Sequence, residues 1–329
     1  MTAPGSAPSP SLYRARCLSA SSLGALISPA AYDAVIYTMG NSPHHHDTLQ
    51  LAADFPGWLW LHDIVLGHAP PIGKTDPTSG RPAGILEYLA TGARGLIVHS
   101  GHAAQLLREN LPADFALPPV SIVPLAFPDV APGVVADRFQ PPWIIAHFGH
   151  VNAFKLADQL VRAFAALPPR DHRLVFVGHV DDNILAELRQ LAAGLGVAER
   201  ITYTGRMPRA AFDAWLNRAQ IAVQMRSRSH GESSAAINSL LAAGTPVITN
   251  IAAAADWPCE VTARVSAAPD VAELSGAISK FLAPAALARQ SAAALQFAAG
   301  NSYEKVAARI LEIVAGPATP RLHFTPRAN

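Results

Sequence analysis

The chain predicts an α/β protein of two facing, doubly wound Rossmann-like domains. Three observations carry this. Its 329 residues exceed one ordinary core, since roughly 150 residues per domain gives about two. Half of the residues are apolar and 15% are charged, which fills buried cores and excludes wholesale disorder. Short runs, apolar on both faces and ending in small or polar residues, alternate with helical spacings, as in parallel sheets covered on both sides.

The elements follow in order. Residues 1–32 read as a flexible or atypical start. Asp33-Ala-Val-Ile-Tyr-Thr-Met-Gly40 is a buried strand and loop. Trp58–Asp63, Ala93–Ser100 and Val120–Leu125 repeat the pattern, with a helix from His102 to Asn110 on apolar Ala103, Leu106 and Leu107. Together, 33–132 form a first domain. The Pro- and Gly-containing stretch Asp129–Pro142 is a linker. A second series then fills 133–301. Its strands are Trp143–Phe148, Arg173–Val177, Ile201–Thr204, Ile221–Met225 and Pro246–Thr249. Its helices lie near Phe154–Leu167, Asn183–Leu195, Arg209–Ala219 and Ser233–Ala243, followed by two Ala-rich helices. Tyr303–Val314 is a last helix packing back (302–316), and 317–329 is a tail. Trp58 and Trp60 are expected in the core.

A net charge of +1 excludes broad electrostatic capture of nucleic acid or acidic membrane, so a bound anion needs a local site. Two cysteines, Cys17 and Cys259, make neither a disulfide framework nor a four-sulfur zinc site. With no apolar run of ~20 residues and no secretory pattern at the start, a cytoplasmic location is expected. Membrane contact would be peripheral, through a partner or substrate.

Ligands of such sheets bind beyond the strands' carboxyl ends, where loops enter helix N-termini. Two loops there carry chemistry. In Phe148-Gly149-His150-Val151-Asn152-Ala153-Phe154-Lys155, Gly149 admits a close ligand, and Lys155 adds charge to a helix start, suiting a phosphate. The plainer alternative is a strand-to-helix turn with a solvated lysine. In Arg226-Ser-Arg-Ser-His-Gly-Glu-Ser-Ser-Ala235, Ser233 or Ser234 can cap the following helix. Arg226 and Arg228 can offset diphosphate charge, and Glu232 can bond sugar hydroxyls. His44-His45-His46 do not converge on one ion, because neighbouring side chains point apart. Asp181-Asp182 reads as a helix cap, and no Asp-x-Asp occurs. No metal ligand and no cofactor are therefore assigned, and the nucleotide is expected to depart without a metal.

These motifs resemble those of retaining GT-B glycosyltransferases, the glycogen-synthase-like group 1 enzymes of glycosyltransferase family 4. Their Gly-Arg-x-x-x-x-Lys corresponds to Gly149-His150…Lys155, and their Thr-Gly-Arg step to Thr204-Gly205-Arg206. A Gly-Glu-Thr-Ser before a helix ending Ala-Gly-x-Pro-Val-Ile corresponds to Gly231-Glu232-Ser233-Ser234 and Ala243–Ile248. In the first domain the likeness rests on Gly40–His44, Leu61-His62-Asp63 and Val98-His99-Ser100. It spans roughly 33–314 and begins at a middle strand of the first sheet, which implies an incomplete N-terminal domain.

The resemblance implies a donor site of Gly149, His150, Lys155, Arg206, Arg226, Gly231, Ser233 and Ser234, with His62 and Glu232 as catalytic residues. His150 stands for an arginine as a weaker, pH-dependent cation, and Ser239 for a ribose-binding glutamate. The implied partners are a nucleoside-diphosphate sugar and a glycan, lipid-linked or small-molecule acceptor, in polysaccharide or cell-envelope glycan synthesis. Two other readings stay open: an idle nucleotide-sugar-binding subunit and a GT-B-fold nucleotide-sugar epimerase.

Overall fold

The computed structural model describes residues 32–42, 45–66, 84–130, 142–168, 171–251, 254, 256–258 and 260–316. The expected start and tail, most of the linker, His44 and both cysteines lie outside them. By its contacts the chain divides in two. The first unit takes Met1–Pro124, His230–Ser233 and Ala307–Asn329, and the second takes Leu125–Ser229 and Ser234–Val306.

The first unit contains β1 (Ile36–Met39), α1 (His46–Asp54), β2 (Trp58–Leu61), α2 (Ile85–Gly92), β3 (Gly95–Val98), α3 (Gly101–Glu109) and β4 (Val120–Ile122). Its sheet is parallel with order β1-β2-β3-β4. These four strands therefore wind in one direction, and the reversal of a doubly wound sheet is not among them. Helices α1 and α2 have no obvious sequence signal beyond short apolar spacings, and both supply core residues (Leu49, Ala53, Leu86, Leu89) beside Leu59, Leu61 and Leu96. Trp58 is core as expected, while Trp60 is half-buried.

The second unit runs β5 (Trp143–Phe148), α4 (Ala157–Ala165), β6 (His172–Val177), α5 (Asp182–Gly194), a 3-10 turn, β7 (Ile201–Tyr203), α6 (Arg209–Arg218), β8 (Ile221–Gln224), α7 (Ala235–Ala242), β9 (Val247–Thr249), β10 (Thr262–Arg264), α8 (Val271–Phe281) and α9 (Pro284–Ala299). The last helix, α10 (Tyr303–Ala315), crosses the boundary between the units. The sheet is parallel with order β10-β9-β8-β5-β6-β7, the Rossmann order, which reverses between β5 and β8.

Period-two alternation in these strands builds two cores. Ile145, Leu174, Phe176 and Val223 face α4, α5 and α8. Ala146, Phe148, Val175 and Ala222 face α6, α7 and α9. Buried Leu160, Val161 and Phe164 seat α4, and truncating such a phenylalanine costs about 3–5 kcal/mol. No single described helix is long and apolar enough to cross a membrane. The α8–α9 pair has the composition but bends by 85° and contributes Leu274, Ile278, Leu287 and Ala294 to the two cores.

Candidate functional site

The topological switch point of the second sheet lies between β5 and β8, so the loops leaving those strands are the first place to look for a ligand site. Beyond β5, Gly149 takes φ +97. Lys155 follows, its amide held by Asn152 O at 3.1 Å. Its half-buried ammonium lies two residues before α4, rather than on it. From β8, Arg226 donates its amide to Asn250 Oδ1 (2.8 Å), and Asn250 Nδ2 returns a bond to Arg226 O (2.9 Å). Ser227 N donates to Phe154 O at 2.9 Å, and the Arg228 guanidinium stacks 4.8 Å from the Phe154 ring. The two loops are thus clipped together.

Burial, then the nearby Arg226 charge, lower the Lys155 pKa to about 8. Among the described residues no carboxylate stands within ion-pair distance of Lys155. Ser234, as expected, caps α7: its hydroxyl accepts from Ile237 N at 3.4 Å. Ser239 turns back on its own helix and donates to Ala235 O at 3.0 Å. Arg206 is exposed beyond edge strand β7, two strands from β5.

The segment His230–Ser233 belongs by its contacts to the first unit. Ile64 N donates to His230 O at 2.8 Å, and a Cβ on Gly231 (φ +85) would stand 2.6 Å from Ile64 Cγ1. Only glycine meets both the dihedral and the close approach. Glu232 Oε2 accepts from His230 N at 2.5 Å, which fixes the carboxylate over its own turn, and Ser233 is half-buried beside it.

A second constellation ends the first sheet. Register aligns Leu61 with Met39 and Val98, which sets Gly40, His62 and His99 in one row beyond the strands. Asp63 Oδ2 accepts from Asn41 N at 2.7 Å. His99 Nδ1 faces Val123 O at 3.1 Å, and His99 Nε2 faces His62 Nδ1 at 2.6 Å. A carbonyl can only accept, so His99 Nδ1 carries a proton. Burial, then His62, push the His99 pKa down to about 4, so its ring is neutral and Nε2 accepts. His62 Nδ1 must then donate, which leaves His62 Nε2 as an acceptor. Burial and then the His45 charge lower the His62 pKa as well, against the smaller opposing pull of Asp63. Trp60 flanks both rings, its own centroid 5.6 Å from His62 and 5.8 Å from His99. The sequence singled out His62, whereas the partnership of His99 needed the register.

One further expectation changes. Asp181 is the N-cap residue of α5, but its side chain makes no cap bond. It accepts instead from His150 Nε2 at 2.6 Å. His179, which the sequence gave no reason to choose, stacks on His150 with centroids 5.2 Å apart. Of the triple histidine, His45 lies within the described residues, and its Nδ1 donates to Thr38 O at 3.1 Å.

Comparison with known proteins agrees with this fold. The fold is that of the GT-B glycosyltransferases, with two Rossmann-like units. Sucrose-phosphate synthase from Thermosynechococcus elongatus is similar at 18% identity and a TM-score of 0.64, over 85% of this chain and 73% of that one. Anabaena Alr3699/HepE, solved with UDP and glucose, is similar at 14% identity and a TM-score of 0.62, over 85% and 78%. The pneumococcal O-GlcNAc transferase GtfA, solved with UDP and GlcNAc, aligns at 13% and 0.60, over 82% and 54%. The family described as "Glycosyl transferases group 1" matches residues 142–284. Apart from His230–Ser233, that match lies within the second unit. No curated protein matches the chain.

Proposed function

We propose that the protein is a retaining glycosyltransferase of family 4, transferring a sugar from a nucleoside diphosphate to an acceptor hydroxyl. One observation carries the reading. Two mutually repelling cations, Lys155 and Arg226, meet at the switch point of the sheet that the group 1 model matches, and among the described residues no carboxylate pairs with the lysine. A diphosphate supplies the missing charge.

As the anomeric C–O bond to the diphosphate breaks, negative charge grows on the leaving group. Lys155, Arg226 and the free amides at the start of α7 stabilise it. The acceptor oxygen bonds to the anomeric carbon from the same face and passes its proton to the departing phosphate oxygen. Glu232 bonds hydroxyls of the donor sugar. His62, with Nε2 as acceptor, bonds a substrate hydroxyl. No step calls on a metal or a cofactor. The UDP-bound neighbours favour a uridine donor, and a glycan, lipid-linked or small-molecule hydroxyl is the acceptor class. A cytoplasmic location belongs to the same proposal.

Calorimetry with UDP, GDP and ADP tests the donor site. At least one should bind, and Lys155→Ala should weaken it by about 1.5–3 kcal/mol, roughly ten- to hundred-fold. Equal affinity in wild type and variant rejects the assignment. Glu232→Gln should lower turnover more than it lowers UDP affinity, since its contacts are to the sugar.

A further inference from the structure

We propose that His150, His179 and Asp181 form a binding site for a divalent transition-metal ion of the zinc type. Register puts them together. Phe148 pairs with Val177, so Gly149 lies beside Gly178 and His150 beside His179. Both glycines take positive φ, +97 and +124, and a Cβ on Gly178 would stand 2.5 Å from Gly149 O. The ladder breaks there and closes again one step later. Val151 N donates to His179 O at 2.8 Å, and Asp181 N to Val151 O at 3.0 Å. These two bonds lock the backbones that carry all three side chains.

The ligand atoms lie within 4.8 Å of one another. His150 Nε2 is 2.6 Å and His179 Nε2 3.7 Å from the same Asp181 Oδ1. A tetrahedral ion with bonds of ~2.0–2.1 Å needs ligands about 3.3 Å apart. His179 already meets that spacing closely. The proton between His150 and Asp181 gives way to the ion when the more exposed His150 ring turns by under an ångström or so. Asp181 gives up an N-cap bond that α5 could use, so its orientation answers to the histidines. Two imidazoles and one carboxylate suit zinc or cobalt and suit magnesium poorly, and they leave positions open to water or a ligand. Among the described residues this is the one such converging group.

The proposal is independent of the glycosyltransferase reading, because its test uses no nucleotide. The chain has 13 histidines, so binding must be read by difference. Wild type, His179→Ala and Asp181→Asn are titrated with Zn2+ and Co2+, and with Mg2+ as the hard-ion control. Wild type should bind one Zn2+ that either substitution weakens at least tenfold, and Co2+ should give a visible absorption band that they abolish. In unaltered protein, Zn2+ should also protect His150 and His179 from acylation by diethylpyrocarbonate, read by mass spectrometry. This second measurement needs no variant to fold. The proposal is overturned by absence of micromolar Zn2+ binding, by equal binding in wild type and variants, or by unprotected His150 and His179.

Discussion

Lys155 and Arg226 share one end of a sheet, and each disfavours the other's charge in a half-buried place. The folded Lys155 pKa of about 8 lies below its usual 10.5. Between those values the folded chain holds fewer protons than the unfolded one, so this lysine opposes folding below about pH 8, a penalty relieved as pH rises. A bound diphosphate reverses the preference and favours the ammonium. UDP affinity should accordingly fall as pH rises from about 7 to 9.5, and Lys155→Arg should flatten the fall. Calorimetry at three pH values reads both, and parallel profiles for the two proteins would exclude Lys155 as the contact. The histidine chain makes a different residue-scale prediction. If His99 sets the tautomer of His62, His99→Phe should lower kcat with little effect on UDP affinity, because it frees the His62 ring and leaves Lys155 and Arg226 unaltered.

At the scale of elements, the decisive features are strand ends rather than strands. Gly149 and Gly178 interrupt two neighbouring strands at one level. Gly178→Ala combines a strained φ of +124 with a Cβ 2.5 Å from a backbone oxygen. It should destabilise the protein by about 1–3 kcal/mol or more, since the clash adds to the strain. Gly196→Ala offers the contrast, with φ +69 and nothing within 4 Å; left-handed strain alone costs about 1–2 kcal/mol. Urea denaturation of the two variants compares them directly. Equal losses would show that the Gly149–Gly178 approach is not tight. The cap of α7 by Ser234 and the turn of Gly231 on Ile64 show the same economy, in which short polar or glycine positions end an element and aim the next.

For the molecule as a whole, buried histidines tie stability to pH. The pKa of His147 is pushed down to about 4, first by burial, against a bond its Nδ1 makes to Val223 O at 3.0 Å. His99 is held down to about 4 as well. Unfolded, both rings titrate near 6.5, so the unfolded chain takes up more protons between about pH 6.5 and 4. Stability should therefore be complete above about 6.5 and fall through that window. His147, 1% exposed, contributes on the order of 3 kcal/mol across it. Denaturant midpoints at pH 7.5, 6 and 5 should decline steadily, and His147→Gln should shallow the decline. A midpoint independent of pH in this range would contradict the neutral, buried assignment of these rings.

The strands and most helices were legible in the sequence because their determinants are local. A strand buried on both faces must be largely apolar, as Ile221–Val223 is, and an amphipathic helix must repeat near 3.6, as Ala157–Ala165 does. The positions of Lys155 and Arg226 beyond β5 and β8, and the cap by Ser234, were legible for a related reason: the apolar runs mark where strands end and loops begin. The short α1 and α2 and strand β10 were not, since each is stabilised by what it packs against more than by its own pattern. Nor were the partners of His62 and His150. Those depend on register across the sheet, which brings His99 to His62 over 37 residues and Asp181 to His150 over 31. Residue types and spacings along the chain determined what chemistry was present. Hydrogen-bonded pairing between distant strands alone decided which side chains meet, because that pairing, not sequence distance, sets their separation.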